Sequence, residues 1–149
     1  MIFISILLLL ADIIIASLYS GKLPTCVSQC HYINGMVHYF LLAGAALTML
    51  IDMVSITPDE WQFLSFLSCA ALVFVASAAS YLDRSQKYVH SVAAIICAAC
   101  AISWALIVVP YALSGCSLLI VSLLDKKRRL LWAELAAFTT AYIGVILLK

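Results

Sequence analysis

The fold is decided by residues 89–149, which run VHSVAAIICAACAISWALIVVPYALSGCSLLIVSLLDKKRRLLWAELAAFTTAYIGVILLK. Residues 89–124 contain no Asp, Glu, Lys or Arg, and one straight helix over them would reach about 54 Å. The hydrocarbon core of a bilayer is only about 30 Å thick, so this run must turn back. Pro110 marks the turn, because proline lacks an amide proton and disfavours helix in the residue before it.

Composition indicates that the whole chain belongs in a membrane. Its 149 residues are 66% hydrophobic and 10% charged, against about 45–50% and about 25% in soluble domains. The predicted fold class is an all-α polytopic bundle that forms a single transmembrane domain over residues 1–149. Its six transmembrane helices are predicted at about residues 2–19, 36–54, 58–81, 89–108, 110–124 and 130–148.

The basic residues predict how the bundle is oriented. With six crossings, seven of the eight Lys and Arg residues fall in loops on one face, and such loops stay in the cytoplasm. Both termini are then predicted on the outer side of a bacterial inner membrane. Five crossings, the alternative, would divide the basic loops between the two faces. The predicted anchors to lipid headgroups are Lys126, Lys127, Arg128 and Arg129.

One carboxylate is predicted to lie inside the bilayer. Asp12 falls about halfway along the first helix, on the face shared by Ala16 and Tyr19. Ionisable groups at that depth are costly and are therefore candidates for function. Asp12 either serves a proton or cation pathway or locks the first helix to a neighbour through hydrogen bonds. Asp52, at the outer end of the second helix, is predicted to be solvated or to cap the next loop.

The topology also gathers polar side chains at the cytoplasmic ends of several helices, where imidazole and carboxylate groups could form a proton-transfer pair or share a metal. The alternative is a hydrogen-bonded network without chemistry of its own. The candidate catalytic residues are His90, Glu134, Ser28 and Tyr32. No cofactor is expected; the residues that zinc would use in this region are His31, His38, His90 and Glu134.

The six cysteines predict neither a disulfide framework nor a zinc motif. Four of them lie inside apolar runs, where cysteine behaves as a small apolar residue. Cys26 and Cys30 precede His31, but their spacing is loose and no second Cys/His pair complements them. Small residues also recur at four-residue spacing, as in Cys97 and Ala101 and in Ala137 and Ala141. These faces are predicted to pack helix against helix.

Four stretches resemble an uncharacterised family of small multi-pass membrane proteins encoded in Bacteroidetes genomes and their mobile elements. They are LPTCVSQCHY (23–32), TPDEWQFL (57–64), VHSVAA (89–94) and LWAELAAF (131–138). The resemblance covers the family's Ser, Tyr, His and Glu positions at Ser28, Tyr32, His90 and Glu134. It departs from the family at Cys26, Cys30 and His31. A more distant similarity is to ceramidase-like membrane hydrolases, but the last predicted helix, at residues 130–148, lacks the paired histidines of that group.

Three classes of function are compatible with this sequence. The leading expectation is a non-enzymatic envelope or partner-binding component, because the sequence holds no recognised catalytic motif and its loops are short. The alternatives are a lipid-active membrane hydrolase with a cytoplasmic-side site and a small transporter or channel that uses Asp12. Membrane lipid is the expected partner, with a second copy or another membrane protein as further candidates and no nucleic acid.

Overall fold

The computed structural model describes residues 1–78 and 85–149 and the backbone of Arg84, and every regular element among them is helical. The predicted end of the third helix, at residue 81, lies outside the described residues. Short 3-10 turns cover Val27–Gln29, Asp59–Trp61, Pro110–Ser117 and Lys126–Arg128. The α-helices are α1 (Ile2–Ser20), α2 (Cys30–Asn34), α3 (Met36–Ile56), α4 (Gln62–Ser77), α5 (Arg84–Val108), α6 (Leu118–Leu124) and α7 (Arg129–Leu148).

Among the described residues, five helical segments are long and apolar enough to cross a membrane, which indicates an all-helical membrane protein. They are Ile2–Ser20, Met36–Ile56, Asp59–Ser77, Ser85–Val108 and Lys126–Leu148. The sequence predicts a sixth helix over 110–124, and the structure builds that segment differently. Its first eight residues form a 3-10 helix and only its last seven form α6. Because a 3-10 helix rises about 2.0 Å per residue, the segment extends about 27 Å, against about 22 Å as an α-helix.

The 110–124 segment runs antiparallel to α7 and packs closely against it. Asp125, just past its end, accepts a hydrogen bond from Trp132 at 3.2 Å, and the Cys116 sulfur lies 3.6 Å from the Thr140 hydroxyl. A Cβ built on Gly115 would lie 2.5 Å from the backbone nitrogen of Thr140. Glycine is therefore required here by the neighbouring backbone.

Both ends of the chain meet at one carboxylate. Asp52, which is 3% exposed, pairs with the Met1 amino group at 3.2 Å and with the Lys149 ammonium group. The prediction that Asp52 is solvated is wrong, because the start of α1 and the end of α7 pack beside it. We call this the Asp52 end of the bundle, and the opposite end, formed by residues 21–35, the loop end.

A buried tryptophan joins three helices near the Asp52 end. Trp104 is 0% exposed and donates from its indole nitrogen to the Thr57 hydroxyl at 2.8 Å. Thr57 in turn donates to the Met53 carbonyl oxygen at 2.5 Å. The ring also lies against Gly144, where an added Cβ would approach it to 2.7 Å. The indole thereby links α5 to the end of α3 and to α7.

The polar stretch 21–35 folds back over the bundle. Gly21 ends α1 with a φ of 68°, and Gly35 separates α2 from α3 with φ 58° and ψ −129°. L-residues rarely adopt such angles, so these two glycines permit the reversals. The stretch is also tied to α7, since Leu131 donates its backbone N–H to the Thr25 carbonyl oxygen at 3.1 Å. Residues of this loop thereby pack beside side chains of the long helices within the bundle.

Candidate functional site

Polar side chains toward the loop end form two clusters, which together differ from the set predicted from the sequence. Asp12, Cys30 and Asn34 are not in that set, and the predicted His31 and Tyr32 belong to neither cluster. The serine cluster consists of Ser28, His90 and Glu134. The aspartate cluster consists of Asp12, Cys30, Asn34 and His38. Among the described residues, the predicted zinc set does not gather at one point, because His38 belongs to one cluster and His90 and Glu134 to the other.

A serine and a histidine from distant parts of the sequence are hydrogen-bonded in the serine cluster. The Ser28 hydroxyl lies 3.2 Å from Nε2 of His90, and Nδ1 of His90 lies 3.2 Å from the Val75 carbonyl oxygen. A carbonyl oxygen only accepts hydrogen bonds, so in the neutral ring Nδ1 carries the proton. Nε2 is then the acceptor for the Ser28 hydroxyl, which is the tautomer that a general base requires.

Glu134 holds the turn that presents Ser28. Its carboxylate accepts a hydrogen bond from the Val27 backbone N–H at 2.6 Å, which links α7 to the 3-10 turn Val27–Gln29. Both Ser28 and His90 are buried. Tyr32, the fourth predicted catalytic residue, is 60% exposed and does not line this site. Its ring lies edge-on to His31, with centroids 6.0 Å apart.

Ser28 and Glu134 of the serine cluster line an apolar cleft of about 270 Å³ between α3, α4, α5 and α7, whereas His90 lies behind Ser28 and is not part of the lining. Ser28 and Glu134 are the polar end of the cleft, and below them the lining is almost entirely apolar. On α7 the lining extends from Leu130 to Ala141, a rise of about 16 Å. One leaflet of the hydrocarbon core is about 15 Å thick, so the cleft is as deep as one leaflet.

Small side chains create this cleft. The prediction that Cys97, Ala101, Ala137 and Ala141 mark packed helix faces holds only in part. Ala141 belongs to the buried core and Cys97 packs against it, but all four residues also line the open space. Their side chains are too short to bridge α5 and α7. The small lining residues are Ala94, Cys97, Ala98 and Ala101 of α5 and Ala133, Ala137 and Ala141 of α7.

The aspartate cluster joins α1 to α2 and α3. Oδ2 of Asp12 lies 2.7 Å from Nδ1 of His38. Asn34 donates to Oδ1 of Asp12 at 2.8 Å and to the Asp12 carbonyl oxygen at 2.9 Å. Asp12, Cys30 and His38 are each 0% exposed. These contacts are those expected of a residue that locks α1 to its neighbours; a proton or cation pathway through Asp12 stays a prediction.

The pKa values of two side chains in the 21–35 loop are shifted by burial and by charged groups of the aspartate cluster. Burial, and then the Asp12 carboxylate, raise the pKa of the Cys30 thiol well above its usual range. Burial, and then His38, lower the pKa of His31. The grouping of Asp12 with Cys30 was not predicted, because nothing in the local hydropathy indicates that this polar loop returns into the bundle. The only available signal was the glycine on each side of the loop.

The basic run 126–129 lies at the loop end. Lys126, Lys127 and Arg129 are exposed, whereas Arg128 pairs with Asp125 at 3.1 Å. The hydrogen bond from Trp132, together with Arg128, holds the pKa of Asp125 below its usual range. Exposure at one end of the bundle is what a lipid-headgroup anchor needs, and that role stays a prediction.

No family model, curated protein or solved structure matches this chain. Function is therefore inferred from the geometry of the two clusters and of the cleft.

Proposed function

We propose that this protein binds one membrane lipid, with an acyl chain in the cleft and the ester or headgroup at the serine cluster. The cleft itself carries the proposal, because its lining is almost entirely apolar, it is about as deep as one leaflet, and Ser28 and Glu134 lie toward its loop end. Ser68 is a further polar lining residue, and its hydroxyl donates to the Cys97 carbonyl oxygen. Hydrocarbon is the material in a bilayer that fills such a space, whereas an apolar cavity does not hold water. This is a specific form of the partner-binding role expected from the sequence.

The topology that accompanies this proposal has six crossings. The pairing of both chain ends with Asp52 supports an even number of crossings, because both ends then lie on the same face. The 110–124 segment supplies the sixth, since its length of about 27 Å approaches the hydrocarbon thickness. The basic loops then face the cytoplasm and the termini face outward in a bacterial inner membrane. A phosphatase reporter should be active when fused after residue 149 and inactive when fused after residue 125; activity at both would contradict this topology.

Lipid binding is tested by filling the cleft. Ala98 lines it, whereas its neighbour Ala99 is exposed on the outside of the same helix. Ala98→Trp should abolish crosslinking of a photoactivatable diacyl phospholipid in vesicles and remove the lipid that co-purifies in detergent. Ala99→Trp, the matched control, should retain both. Equal crosslinking of the two variants, both folded by circular dichroism, would overturn the proposal.

Hydrolysis of a lipid ester is the second candidate function, and the tautomer of His90 favours it. In that reaction Oγ of Ser28 attacks the ester carbonyl carbon while Nε2 of His90 takes the hydroxyl proton. His90 returns the proton to the leaving alcohol, and water then cleaves the acyl-serine ester. Glu134 positions Ser28 through the Val27 N–H.

The two candidates are separated by measuring turnover and binding in the same samples. If the hydrolysis hypothesis is right, purified protein cleaves a diacyl phospholipid and reacts with a fluorophosphonate at Ser28. Ser28→Ala should then abolish both, and His90→Asn should lower the rate by about 10²–10⁴-fold, while lipid crosslinking persists. Crosslinking without turnover in the unaltered protein would leave lipid binding alone. Homo-oligomerisation and binding of another membrane protein stay predictions.

A further inference from the structure

The described residues contain a second constellation that lipid binding does not use. The ligand atoms of Asp12, Cys30 and His38 all lie within 4.8 Å of one another, and all three side chains are wholly buried. We propose that these three residues bind a divalent transition-metal ion of the zinc class. The three ligands come from α1, α2 and α3, so the ion would tie the loop to two spanning helices.

The donor set selects the kind of ion. Carboxylate oxygen, imidazole nitrogen and thiolate sulfur bind zinc at about 2.0–2.3 Å, which at tetrahedral angles separates the donors by about 3.5 Å. The present separations require rearrangements on the order of 1 Å, including some widening of the contact between Asp12 and His38. Calcium and magnesium prefer oxygen ligands alone, so a site that includes Cys30 disfavours them.

The surroundings of the cluster hold its ligands in place. Asn34 donates both to the side chain and to the backbone of Asp12, as groups outside a metal's ligands commonly do. His38 provides a second, independent observation. Its Nε2 is buried and has no hydrogen-bond partner among the described residues, although its Nδ1 contacts Asp12. The ion would bind at Nδ1, which faces Asp12, so the unpaired Nε2 shows only that the described residues do not fully satisfy this buried ring.

The charge of a bound divalent ion is balanced by two anionic ligands, the Asp12 carboxylate and the Cys30 thiolate. The Cys30 thiol gives up its proton to solvent and becomes the thiolate ligand. Neutral His38 supplies a lone pair from one ring nitrogen while the other retains the proton. The serine cluster takes no part, because neither His90 nor Glu134 belongs to the three-residue group.

The experiment loads the full detergent-purified chain with zinc and, separately, with Co²⁺ before removal of excess metal. Elemental analysis should give about one ion per chain, and bound Co²⁺ should show a thiolate-to-metal charge-transfer band. Cys30→Ala should reduce metal content at least tenfold and abolish the band, while the contacts among Asp12, Asn34 and His38 remain. Cys116→Ala, which changes a cysteine near α7, is the matched control and should retain both.

Several outcomes would overturn the metal site. In the unaltered protein, the outcomes against the site are that no ion is retained after loading, or that the cobalt spectrum lacks the thiolate band. In the variants, they are that the ion persists in Cys30→Ala, or that it is lost from Cys26→Ser. The first two need no variant and so do not depend on whether a substitution folds. Because lipid crosslinking is measured on the same samples, failure of the metal site is distinguishable from failure of lipid binding.

Discussion

Replacing Gly115 with alanine is expected to push the 110–124 segment away from α7. The added Cβ would lie 2.5 Å from the backbone nitrogen of Thr140 and 2.7 Å from its Cα, whereas ordinary contacts begin at 3.4 Å. Backbone atoms cannot rotate out of the way as a side chain can. The two segments must therefore separate by roughly 1 Å in an interior that is packed like a crystal.

The expected cost follows from two opposing effects. Overpacking of a close interface costs about 1–3 kcal/mol, and the backbone clash places Gly115→Ala at the upper end of that range. Exchange of glycine for alanine in a helix returns about 0.5–1 kcal/mol. The net loss in the free energy of unfolding should be about 2 kcal/mol. Gly44→Ala is the control, because its Cβ would meet only the end of the Leu8 side chain, at 3.1 Å.

The assay is reversible unfolding in mixed micelles, followed by tryptophan fluorescence and circular dichroism on both variants and the unaltered protein. Gly44→Ala should match the unaltered protein or exceed it by up to about 1 kcal/mol. If Gly115→Ala proved as stable as Gly44→Ala, the close approach of the segment to α7 would be refuted.

Three further predictions concern stability and use the same unfolding assay. Asp52→Asn should cost about 1–2 kcal/mol, because it weakens two ion pairs with half-exposed partners, whereas the exposed Asp59→Asn should cost nothing measurable. Trp104→Phe should cost about 1–3 kcal/mol, because it removes the hydrogen bond to Thr57 and leaves a small cavity. The pKa of Asp125 is lowered in the folded state, so the unfolded chain binds more protons in acid and stability falls as pH drops through about 4. Asp125→Asn should remove that part of the acid sensitivity; an identical pH profile would contradict it.

Much of the fold could be predicted from the sequence, because a bilayer limits the possibilities. The uncharged run 89–124 and its proline located the turn after α5, and the predicted ends of α1, α3 and α7 lie within about two residues of the observed ends. The 3-10 form of residues 110–117 could not be predicted. It depends on close packing against α7, and no local sequence pattern distinguishes it from an α-helix in an apolar run.

The candidate site was predicted only in part, for reasons of distance in the sequence. Ser28 and His90 were assigned to the same end of the bundle, but their hydrogen bond joins residues 62 positions apart. Asp12 is buried within the bundle, and its position inside a bilayer stays a prediction. Its partners Asn34 and Cys30 were not predicted, because the return of a polar loop into the bundle depends on tertiary packing and not on local hydropathy.

Small residues at four-residue spacing have two structural outcomes in this chain, a closely packed helix face and a cleft. Small side chains at four-residue spacing let two membrane helices approach closely, and Gly115 against Thr140 does so here. The same kind of pattern at Ala137 and Ala141 leaves a cleft, and in the proposed function an acyl chain would supply the missing van der Waals contacts. A polar residue near the small residues distinguishes a cleft from a packed face. A packed face has no need of a half-buried carboxylate such as Glu134, whereas a lipid site must meet both the chain and its ester.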